Sequence, residues 1–398
     1  MNILLGICGS ISAYKAPDIA RGLINQGHNV KVVLTKGALE FVNPSVFKYL
    51  GVESTYLPHD DFNYAQVLHI QLSKWCDSLV IVPASANTLA KLAHGQCDDL
   101  LSSIFLSLPE YKVKIIYPAM NTQMMNSPIS QSNFKTLIAL PNCFFMESDS
   151  GMLACGDEGK GKLPEVRGII DIIPLLSNKK VNKKVLITAG ATLSNIDTVR
   201  YVTNPARGGT SYLLAKKYLS EGYSVHMIKG QDVISEFKHL TKHPNYTEET
   251  VSTTQDLLKA VSAQWSKFDI YISPMAVSDI EFEYTDHKIK KSTLGGEFKF
   301  KYAPDVLKFV VENKLPHQLV VGFAAESDLS DKTISEKITR KPVDLLVANL
   351  VNSGFNNKDK KGFGTRSGHY KLVTNVSSEE FVSIGKEKIV ELIFEKIK

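Results

Sequence analysis

Apolar runs of strand length alternate along the chain with stretches of helical periodicity. In the first half these runs are NILLGI, VKVVL, SLVIVPA and VKIIYPA. In the second half they are KVLITAG, YSVHMIK, DIYISP, LVVGFAA and VDLLVA. Short, continuous apolar runs bounded by turn residues are typical of strands that are buried on both faces of a parallel sheet. The pattern therefore predicts an α/β fold with doubly wound, mostly parallel sheets.

A polar, lysine-rich stretch, LLSNKKVNKK at residues 175–184, interrupts this alternation near the middle of the chain. A chain of 398 residues is too long for one ordinary core, and two domains of about 150 to 200 residues each are expected instead. Each half opens with a strand that runs into a glycine turn and a helix, in GICGSISAYK and ITAGATLSNID. Such turns can cradle a phosphate. We predict one domain over residues 1–178 and a second over residues 182–398.

Composition and charge indicate which classes of ligand the protein binds and where in the cell it is located. The net charge of +5 is spread over the chain without a basic run, which suggests anionic small molecules and gives little support for nucleic acid. No apolar stretch reaches bilayer length, and the opening MNILLGICGS lacks the basic flank of a signal peptide. We therefore expect a cytoplasmic enzyme without a membrane partner.

The cysteines are odd in number and form no CxxC pair, which disfavours both a disulfide framework and a structural zinc site. They are Cys8, Cys76, Cys97, Cys143 and Cys155. Cys155 differs from the others because it lies among four glycines in SDSGMLACGDEGKGKL, residues 148–163. That segment predicts a mobile, solvent-facing loop that acts as a lid or a linker. The other four cysteines are expected to be small packed hydrophobes.

Two strand ends of the first half carry polar residues where ligands of open α/β sheets gather. Gly9 and Ser10 follow the first strand, and the absence of Gly-x-Gly-x-x-Gly favours a mononucleotide such as FMN over NAD. The alternative is a plain helix cap. The third apolar run ends in PASANT, which supplies the hydroxyl and amide groups of Ser85, Asn87 and Thr88.

Two further residues could have either a purely structural or a functional role. Asn121 in PAMNTQMM interrupts an apolar tail that includes Met120 and Met124, and the segment could be a strand-to-loop turn with core methionines. His69 in VLHIQLSKW could be a satisfied core histidine or a general base beside a flavin.

Taken in order, GSISAYK, the histidine of LHIQL, PASANT, PAMNTQMM and the SGxxACGDxGxGKL loop resemble the phosphopantothenoylcysteine decarboxylase family of FMN proteins. The resemblance implies that Cys155 donates a proton to the enethiolate carbon, that His69 is the base, and that Asn121 orients the carboxylate that is lost. Met124 would line the same pocket. The flavin would be held by Gly9, Ser10, Ser85, Asn87 and Thr88. Members of the family form trimers, and the domain is expected to be flavodoxin-like or Rossmann-like.

The second half resembles phosphopantothenate–cysteine ligase through ITAGATLSNIDTVRYVTN, AVSD, KIKK, APDVL, VGFAAES and EKITRKPVDLLVAN. The whole chain is similar to the bacterial bifunctional fusion of coenzyme A biosynthesis. That resemblance implies a Rossmann-like ligase domain that joins 4'-phosphopantothenate to cysteine. The expected co-substrate is CTP, which forms an acyl-cytidylate in the presence of Mg²⁺, and the product phosphopantothenoylcysteine would pass to the decarboxylase. Ligase dimers and decarboxylase trimers would combine into homo-oligomers as large as a dodecamer.

The resemblance also assigns ligase residues. Lys288, in a short cluster with Lys290 and Lys291, matches a lysine that contacts the triphosphate, and Arg200 and Asn204 match a pair that acts on the acyl-cytidylate. The remaining nucleotide contacts would come from Asp279, Pro304, Asp305, Val306, Leu307, Phe323, Lys337 and Lys341. Lys337 and Lys341, four apart, are expected to share a helix face. The alternatives are a solvated lysine surface and, for an Asn before a proline, a simple turn.

Three departures from the family pattern leave other functions open. The stretch after Asn204 reads PARGGTS where the family has a Ser-Ser-Gly-Lys-like sequence, Ala191 replaces a proline, and Asp98 stands where asparagine is common. One alternative is a decarboxylase with a degenerate ligase half. Another is a non-enzymatic FMN-binding regulatory protein, although the acidic tail of such proteins is missing here.

Overall fold

The computed structural model of the chain describes residues 1–62, 67–154, 156–290, 298–351 and 367–398. The predicted site residue Cys155 lies outside these ranges, and so does Lys291 of the lysine cluster that contains Lys288. The chain divides into two compact units, Met1–Lys179 (unit 1) and Lys180–Lys398 (unit 2).

Unit 1 alternates strands and helices as the apolar pattern predicts. Its strands are β1 (Asn2–Ile7), β2 (Asn29–Leu34), β3 (Ser54–Tyr56), β4 (Ser78–Ala84), β5 (Val113–Pro118), β6 (Cys143–Phe145), β7 (Asp149–Met152) and β8 (Glu158–Lys162). Its helices are α1 (Ala16–Asn25), α2 (Ser45–Tyr49), α3 (Leu68–Trp75), α4 (Ala86–His94), α5 (Leu100–Ser107), α6 (Thr122–Asn126), α7 (Pro128–Ile138) and α8 (Val166–Ile172). Short 3₁₀ turns occupy Ile11–Lys15, Lys36–Glu40, Asp60–Phe62 and Ile173–Leu175.

The main sheet of unit 1 is parallel throughout, with strand order β3-β2-β1-β4-β5-β6. Every residue of β4 is buried, in agreement with a continuous apolar run that is covered on both faces. The doubly wound fold is therefore confirmed, and the order is that of Rossmann sheets rather than the 2-1-3-4-5 order of flavodoxin. Because the chain leaves β1 toward β2 and later returns on the other side as β4, a crevice opens at the carboxyl ends of β1 and β4.

Unit 2 follows the same plan and extends it. Its strands are β9 (Lys184–Ala189), β10 (Leu193–Asn195), β11 (Tyr201–Thr203), β12 (Ser224–Lys229), β13 (Tyr246–Thr250), β14 (Ile270–Ser273), β15 (Ile280–Phe282), β16 (Phe300–Tyr302), β17 (Leu319–Glu326), β18 (Leu345–Leu350), β19 (Ser367–Val373) and β20 (Ser378–Gly385). Its helices are α9 (Gly209–Ser220), α10 (Phe237–Leu240), α11 (Thr254–Gln264), α12 (Val306–Glu312), α13 (Asp331–Arg340) and α14 (Lys386–Ile397), with a 3₁₀ turn at Trp265–Lys267.

The main sheet of unit 2 has the order β13-β12-β9-β14-β17-β18-β19-β20. The strands from β13 to β18 are parallel, whereas β19 and β20 add an antiparallel edge that the apolar runs did not predict. The edge strand β20 is largely exposed, so its sequence lacks a continuous apolar run. Outside this sheet, β10 pairs with β11 and β15 with β16, both antiparallel. The point where the strand order reverses lies between β9 and β14.

Each unit has its own apolar core. In unit 1 the core includes Leu79, Ile81 and Leu101, and in unit 2 it includes Tyr271 and Val320. Each such side chain that is fully buried contributes about 1.5–3 kcal/mol. Among the described residues, no helix combines the length and the apolar composition that crossing a bilayer requires.

The prediction of an irregular loop around Cys155 is wrong for the described residues on either side of it, although most of them are solvent-facing as predicted. Asp149–Met152 (β7) and Glu158–Lys162 (β8) pair as antiparallel strands and make a hairpin. A Cβ on Gly161 (φ +136°) would lie 2.1 Å from the Met120 carbonyl oxygen, and one on Gly159 would lie 2.4 Å from Oγ1 of Thr122. These two glycines therefore permit close packing against the segment that carries Asn121, which glycine content alone does not distinguish from mobility.

Candidate active sites

The turn after β1 forms one side of the crevice in unit 1. A Cβ on Gly9 would lie 2.9 Å from Cα of Gly37, so the turns after β1 and β2 can approach this closely because both residues lack side chains. The hydroxyl of Ser10 donates to the carbonyl of Ala119, 3.3 Å away, at the end of β5. A 3₁₀ turn separates Ser10 from α1. The glycine turn after β1 therefore does not lead directly into a long helix, contrary to the prediction.

The segment after β4 forms the other side of the crevice. Ser85 is the N-cap of α4, and its hydroxyl accepts a hydrogen bond from the backbone N–H of Thr88 at 3.4 Å. Burial raises the pKa of the adjacent Cys8 thiol to about 12, although hydrogen bonds from Thr88 and Ser85 act in the opposite direction. Asn87 is exposed in the first turn of α4, where helix N–H groups and the helix dipole favour an anion. Ser85 and Thr88 thus organise the crevice wall that exposes Asn87.

His69 lies in the first turn of α3 and is held by Asp61, a residue that sequence reasoning missed. Asp61 accepts from the backbone N–H of His69 at 3.0 Å, and its other oxygen lies 2.5 Å from Nδ1 of the imidazole. Because a carboxylate accepts, Nδ1 carries the proton and Nε2 of the neutral ring is left as the proton acceptor. The side chains of Asp61 and His69 are 14% and 28% exposed, so this imidazole is not a fully buried core group. A DD pair eight residues before the histidine was visible in the sequence, but its contact with the ring was not.

Asn121 lies where β5 ends and α6 begins. Its Oδ1 accepts from the backbone N–H of Gln123 at 2.8 Å, so it caps the helix as the turn interpretation required. The hairpin is bonded to the same segment, because the N–H of Met120 donates to the Gly161 carbonyl at 3.1 Å and Thr122 Oγ1 donates to the Lys160 carbonyl at 2.9 Å. Met124 is half exposed on α6. Strand β8 of the hairpin is thus attached beside Asn121.

In unit 2 some of the predicted ligase residues lie in segments that follow strands near the reversal of strand order. Gly190 follows β9 and accepts from the N–H of Ala276 at 2.9 Å in the segment after β14. Asn204 and Asp279 are exposed in the segments that continue from β11 and β14. The Ala303 N–H donates to the Asp279 carbonyl at 2.9 Å, which brings the predicted stretch Pro304 to Leu307 beside Asp279.

Asp197, another residue that the sequence did not single out, joins Arg200 to the lysine segment. Its Oδ2 accepts from Nε of Arg200 at 3.0 Å, from Nη2 at 2.5 Å and from the N–H of Ile289 at 3.1 Å. Arg200 Nη2 also donates to the Ile289 carbonyl at 2.9 Å. The Arg200 guanidinium, helped by backbone N–H donors, holds the pKa of the Asp197 carboxyl well below its usual range. Lys288 and Lys290 flank the residue that is held, and both are exposed.

A pocket lies between β17, β18, α12 and α13. It is lined by Leu307, Phe323, Ala324, Lys337, Arg340, Lys341, Val343 and Leu346. Phe323, Leu307 and the two lysines were predicted here, whereas Arg340 was not. The pocket therefore combines an aromatic ring and apolar walls with three cationic side chains, which suits a nucleotide.

The two predicted lysines of this pocket are paired with carboxylates. Lys337 contacts Glu326, and Nζ of Lys341 lies 2.6 Å from Oδ2 of Asp305. Asp305 is also the N-cap of α12, where its Oδ1 accepts from the Lys308 N–H at 3.0 Å. The expectation of a shared helix face is only partly right, because α13 ends at Arg340 and Lys341 is its C-cap. A phosphate in this site would compete with these carboxylates for the same cations.

Two other expectations meet the structure here. Cys8 and Cys76 are packed in the core, but Cys97 is exposed between α4 and α5, so the prediction that it is a packed hydrophobe is wrong. The residues next to Cys97 in the sequence are polar, so nothing beside it in the chain required the cysteine to be buried. Within the described ranges, no group of three or more His, Cys, Asp or Glu side chains is arranged to hold a metal ion.

Comparison with known families matches both units. The family described as Flavoprotein matches residues 1–178, and the DNA/pantothenate metabolism flavoprotein C-terminal domain matches residues 180–398. The coenzyme A biosynthesis bifunctional protein CoaBC of Borreliella burgdorferi is 31% identical over 403 residues, which cover 98% of this chain and 97% of that protein. The chain belongs to the family of bifunctional coenzyme A biosynthesis proteins.

Other members are similarly related to the chain. The protein of the same name from Bacillus subtilis is 35% identical over 361 residues, covering 88% of this chain and 86% of its own length. Among solved structures, a PPC decarboxylase mutant complexed with pantothenoylaminoethenethiol is 31% identical, with a TM-score of 0.40 over 44% of this chain and 96% of that one.

The altered stretch of this family member, residues 205–211, leads into α9. Gly208 (φ +76°) is the N-cap, and a Cβ there would lie 3.2 Å from the backbone nitrogen of Gly190. The backbone thus passes close to the end of β9, as a phosphate-binding turn requires. Arg207 is exposed and pairs with Asp232 at 3.2 Å. The replacement of the usual residues therefore leaves the glycine turn in place while changing the side chains around it.

Proposed function

We propose that this chain catalyses two consecutive steps of coenzyme A biosynthesis. Unit 2 ligates 4'-phosphopantothenate to cysteine at the expense of CTP, through an acyl-cytidylate. Unit 1 then decarboxylates the resulting phosphopantothenoylcysteine to 4'-phosphopantetheine in an FMN-dependent reaction. The observation that carries the proposal is the similarity to bifunctional relatives over 98% of the chain, supported by a polar crevice at the point of strand-order reversal in each unit.

The crevice of unit 1 suits FMN. Gly9 leaves bare backbone at its edge because no Cβ fits beside Gly37, and the first turn of α4 offers an anion-binding end with Asn87 exposed. Gly9, Ser10, Ser85, Asn87 and Thr88 are the residues proposed to hold the cofactor. When bound, FMN supplies hydride transfer, which lets a cysteine amide lose carbon dioxide without forming a carbanion that has no electron acceptor.

The side chains of unit 1 then have distinct tasks in decarboxylation. Nε2 of His69 accepts the proton of the substrate thiol, and the Asp61 carboxylate stabilises the imidazolium that results. The amide of Asn121 orients the carboxylate that leaves as carbon dioxide, and Met124 lines the pocket. Cys155 donates the proton that the enethiolate carbon takes up. Strand β8, which follows Cys155 in the sequence, is bonded to the Asn121 segment, which supports a shared site for the two residues.

In unit 2 the carboxylate of 4'-phosphopantothenate attacks the α-phosphorus of CTP, and the bond to pyrophosphate breaks. The amine of cysteine then attacks the acyl carbon and displaces CMP. Lys288, Lys337 and Lys341 neutralise phosphate charge, with Mg²⁺ bound mainly through phosphate oxygens. Phe323 and Leu307 surround the base, and Asp279 and residues 304–306 complete the nucleotide contacts. Asn204 and Arg200 act at the acyl-cytidylate.

The test is to purify the protein, record its flavin spectrum, and assay the two reactions separately. We expect a yellow protein that releases pyrophosphate from CTP with 4'-phosphopantothenate, cysteine and Mg²⁺, and forms 4'-phosphopantetheine as identified by mass. Decarboxylation without pyrophosphate release would favour a degenerate ligase half, and flavin binding without either product would favour a regulatory protein. The cytoplasmic location, the decarboxylase trimers and the ligase dimers stay predictions.

A further inference from the structure

The segment that carries Lys288 is held in unit 2 by one residue's backbone. Ile289 donates its N–H to Asp197 and receives at its carbonyl a hydrogen bond from Arg200 Nη2. The same segment is attached a second time, where the Thr285 N–H donates to the Ile196 carbonyl at 3.2 Å. The chain positions that meet here are 92 residues apart for Asp197 and Ile289.

Arg200 commits much of its hydrogen-bonding capacity to this arrangement. Its Nε and Nη2 both face Oδ2 of Asp197, and Nη2 also bonds to Ile289. The Asp197 side chain is fully buried, whereas that of Arg200 is 39% exposed. Asp197 additionally accepts the backbone N–H groups of Val199 and Arg200 at 2.8 Å each. A buried carboxylate with this many donors is strongly oriented.

Lys288 itself is available for a ligand. Its side chain is exposed, and among the described residues no ion pair or hydrogen bond involves its ammonium group. A lysine on a flexible stem contributes a phosphate contact only as far as its backbone is positioned. The part of this segment that is fixed is the backbone of Ile289, the residue immediately after Lys288.

We propose that Asp197 and Arg200 form a clamp on Ile289 that positions Lys288 for the triphosphate of the nucleotide. Asp197 is then a positioning residue for pyrophosphate release, and it acts through Lys288 rather than on the substrate. This inference rests on the proposed ligase function. It adds to Arg200 a task in the first half-reaction, before the acyl-cytidylate exists.

A double-mutant cycle tests this assignment in the full-length protein. Single-turnover pyrophosphate release from CTP and 4'-phosphopantothenate, without cysteine, is measured for Asp197→Asn, Lys288→Gln and the double variant. We expect each single change to lower kcat/KM for CTP by roughly 10-fold or more, as for loss of a charge-assisted contact, and the double variant to match Lys288→Gln. The proposal would be overturned if the fold-losses of the two single variants multiply in the double variant, or if Asp197→Asn leaves the rate unchanged.

Hydrogen exchange gives a readout that does not depend on activity. Peptides that cover residues 285–290 should exchange faster in Asp197→Asn than in the unchanged protein, and equal protection overturns the clamp. If the unchanged protein releases no pyrophosphate, the ligase proposal and with it the role of Lys288 fail, whereas exchange still decides whether the clamp exists.

Two further variants guard the interpretation. Glu312→Gln makes the same acid-to-amide change at an exposed pair with Lys308 in unit 2, and both rate and exchange should stay unchanged. If Asp197→Asn does not fold, Arg200→Lys takes its place, because lysine keeps the charge but cannot bridge Asp197 and the Ile289 carbonyl with a planar fork. Faster exchange at residues 285–290 is expected in this variant as well, and unchanged protection would contradict the clamp.

Discussion

Nδ1 of His69 lies 2.5 Å from a carboxylate oxygen of Asp61, whose other oxygen accepts the backbone N–H of the same histidine. One carboxylate thus orients both the ring and the first turn of α3. It also supplies the countercharge for an imidazolium, which is the arrangement by which acid–base histidines are commonly supported. The functional interpretation of His69 gains from the partial exposure of the ring, since a buried core histidine also requires a hydrogen-bond partner.

Asp61→Asn should slow decarboxylation by roughly 10-fold or more, yet by less than His69→Asn, because a general base contributes about 10²–10⁴-fold. An amide can accept the backbone hydrogen bond but does not stabilise an imidazolium by charge. The measurement is 4'-phosphopantetheine formation from phosphopantothenoylcysteine at saturating substrate. Asp60→Asn is the matched control, since that carboxylate accepts the Leu57 N–H and does not contact His69. Equal rates for the two variants would remove Asp61 from the site.

The depressed pKa of Asp197 makes a prediction about pH and stability. Because its pKa is lower in the folded than in the unfolded chain, its stabilisation is fully present above the unfolded value of about 3.9 and is lost as pH falls through the folded pKa. The difference in melting temperature between the unchanged protein and Asp197→Asn should therefore be constant near neutral pH and shrink below about pH 4. A thermal melting series over pH checks this, and a difference that does not vary with pH would contradict it.

At the scale of elements, the β7–β8 hairpin is attached by its backbone to the strand-to-helix segment that carries Asn121. Gly159 and Gly161 permit this approach, whereas Gly156 (φ +87°) has open space where a Cβ would be. Glycines in one short segment therefore serve different purposes. The part of the hairpin that is bonded to Met120 and Thr122 is a fixed support, so any closing motion would be confined to the residues beyond it.

Gly161→Ala should detach this support, because the new Cβ meets the Met120 carbonyl and the φ of +136° is unfavourable for alanine. We expect decarboxylation to fall by roughly 100-fold, as for a misplacement of about 1 Å in a catalytic group, while flavin absorbance is retained. Gly156→Ala is the control for strain without a clash and should have a smaller effect. Product formation and limited proteolysis of residues 149–162 measure the two consequences.

At the scale of the whole molecule, both units reverse strand order beside their first strand. In unit 1 the predicted flavin-site residues follow the strands at that point, whereas in unit 2 Phe323, Lys337 and Lys341 line a pocket beside β17 and β18. The cores of the two units are formed within Met1–Lys179 and Lys180–Lys398. Each unit thus has what an independent domain requires. The two units thus share one sheet plan.

Separate expression of residues 1–179 and 180–398 should give two folded proteins. The first is expected to be yellow and to decarboxylate phosphopantothenoylcysteine, and the second to release pyrophosphate from CTP. Flavin absorbance, thermal melting and the two assays check this. Loss of a cooperative melting transition in either fragment would show that its core depends on the other unit.

The buried strands at the centre of the two sheets were predictable because side-chain periodicity is a local property. The predicted runs in β1, β4 and β9 differ from the observed strands by at most one residue at an end. Polar residues at strand ends, such as Ser85 and Asn87, could be assigned to a crevice because parallel strands end at the same edge, whereas Asp279 was assigned only through the family resemblance. The edge strand β20 was missed because an exposed strand carries no continuous apolar run.

The amino-acid sequence by itself determined the α/β class, the two units, and the residues that follow the strand ends. Only the tertiary structure decided which group each of the two carboxylates contacts. Asp61 reaches His69 across eight residues and Asp197 reaches Ile289 across 92, and the close approach of Gly161 to Met120 likewise joins separate segments. Such contacts depend on the path of the backbone between the partners, and no periodicity or local motif encodes that path.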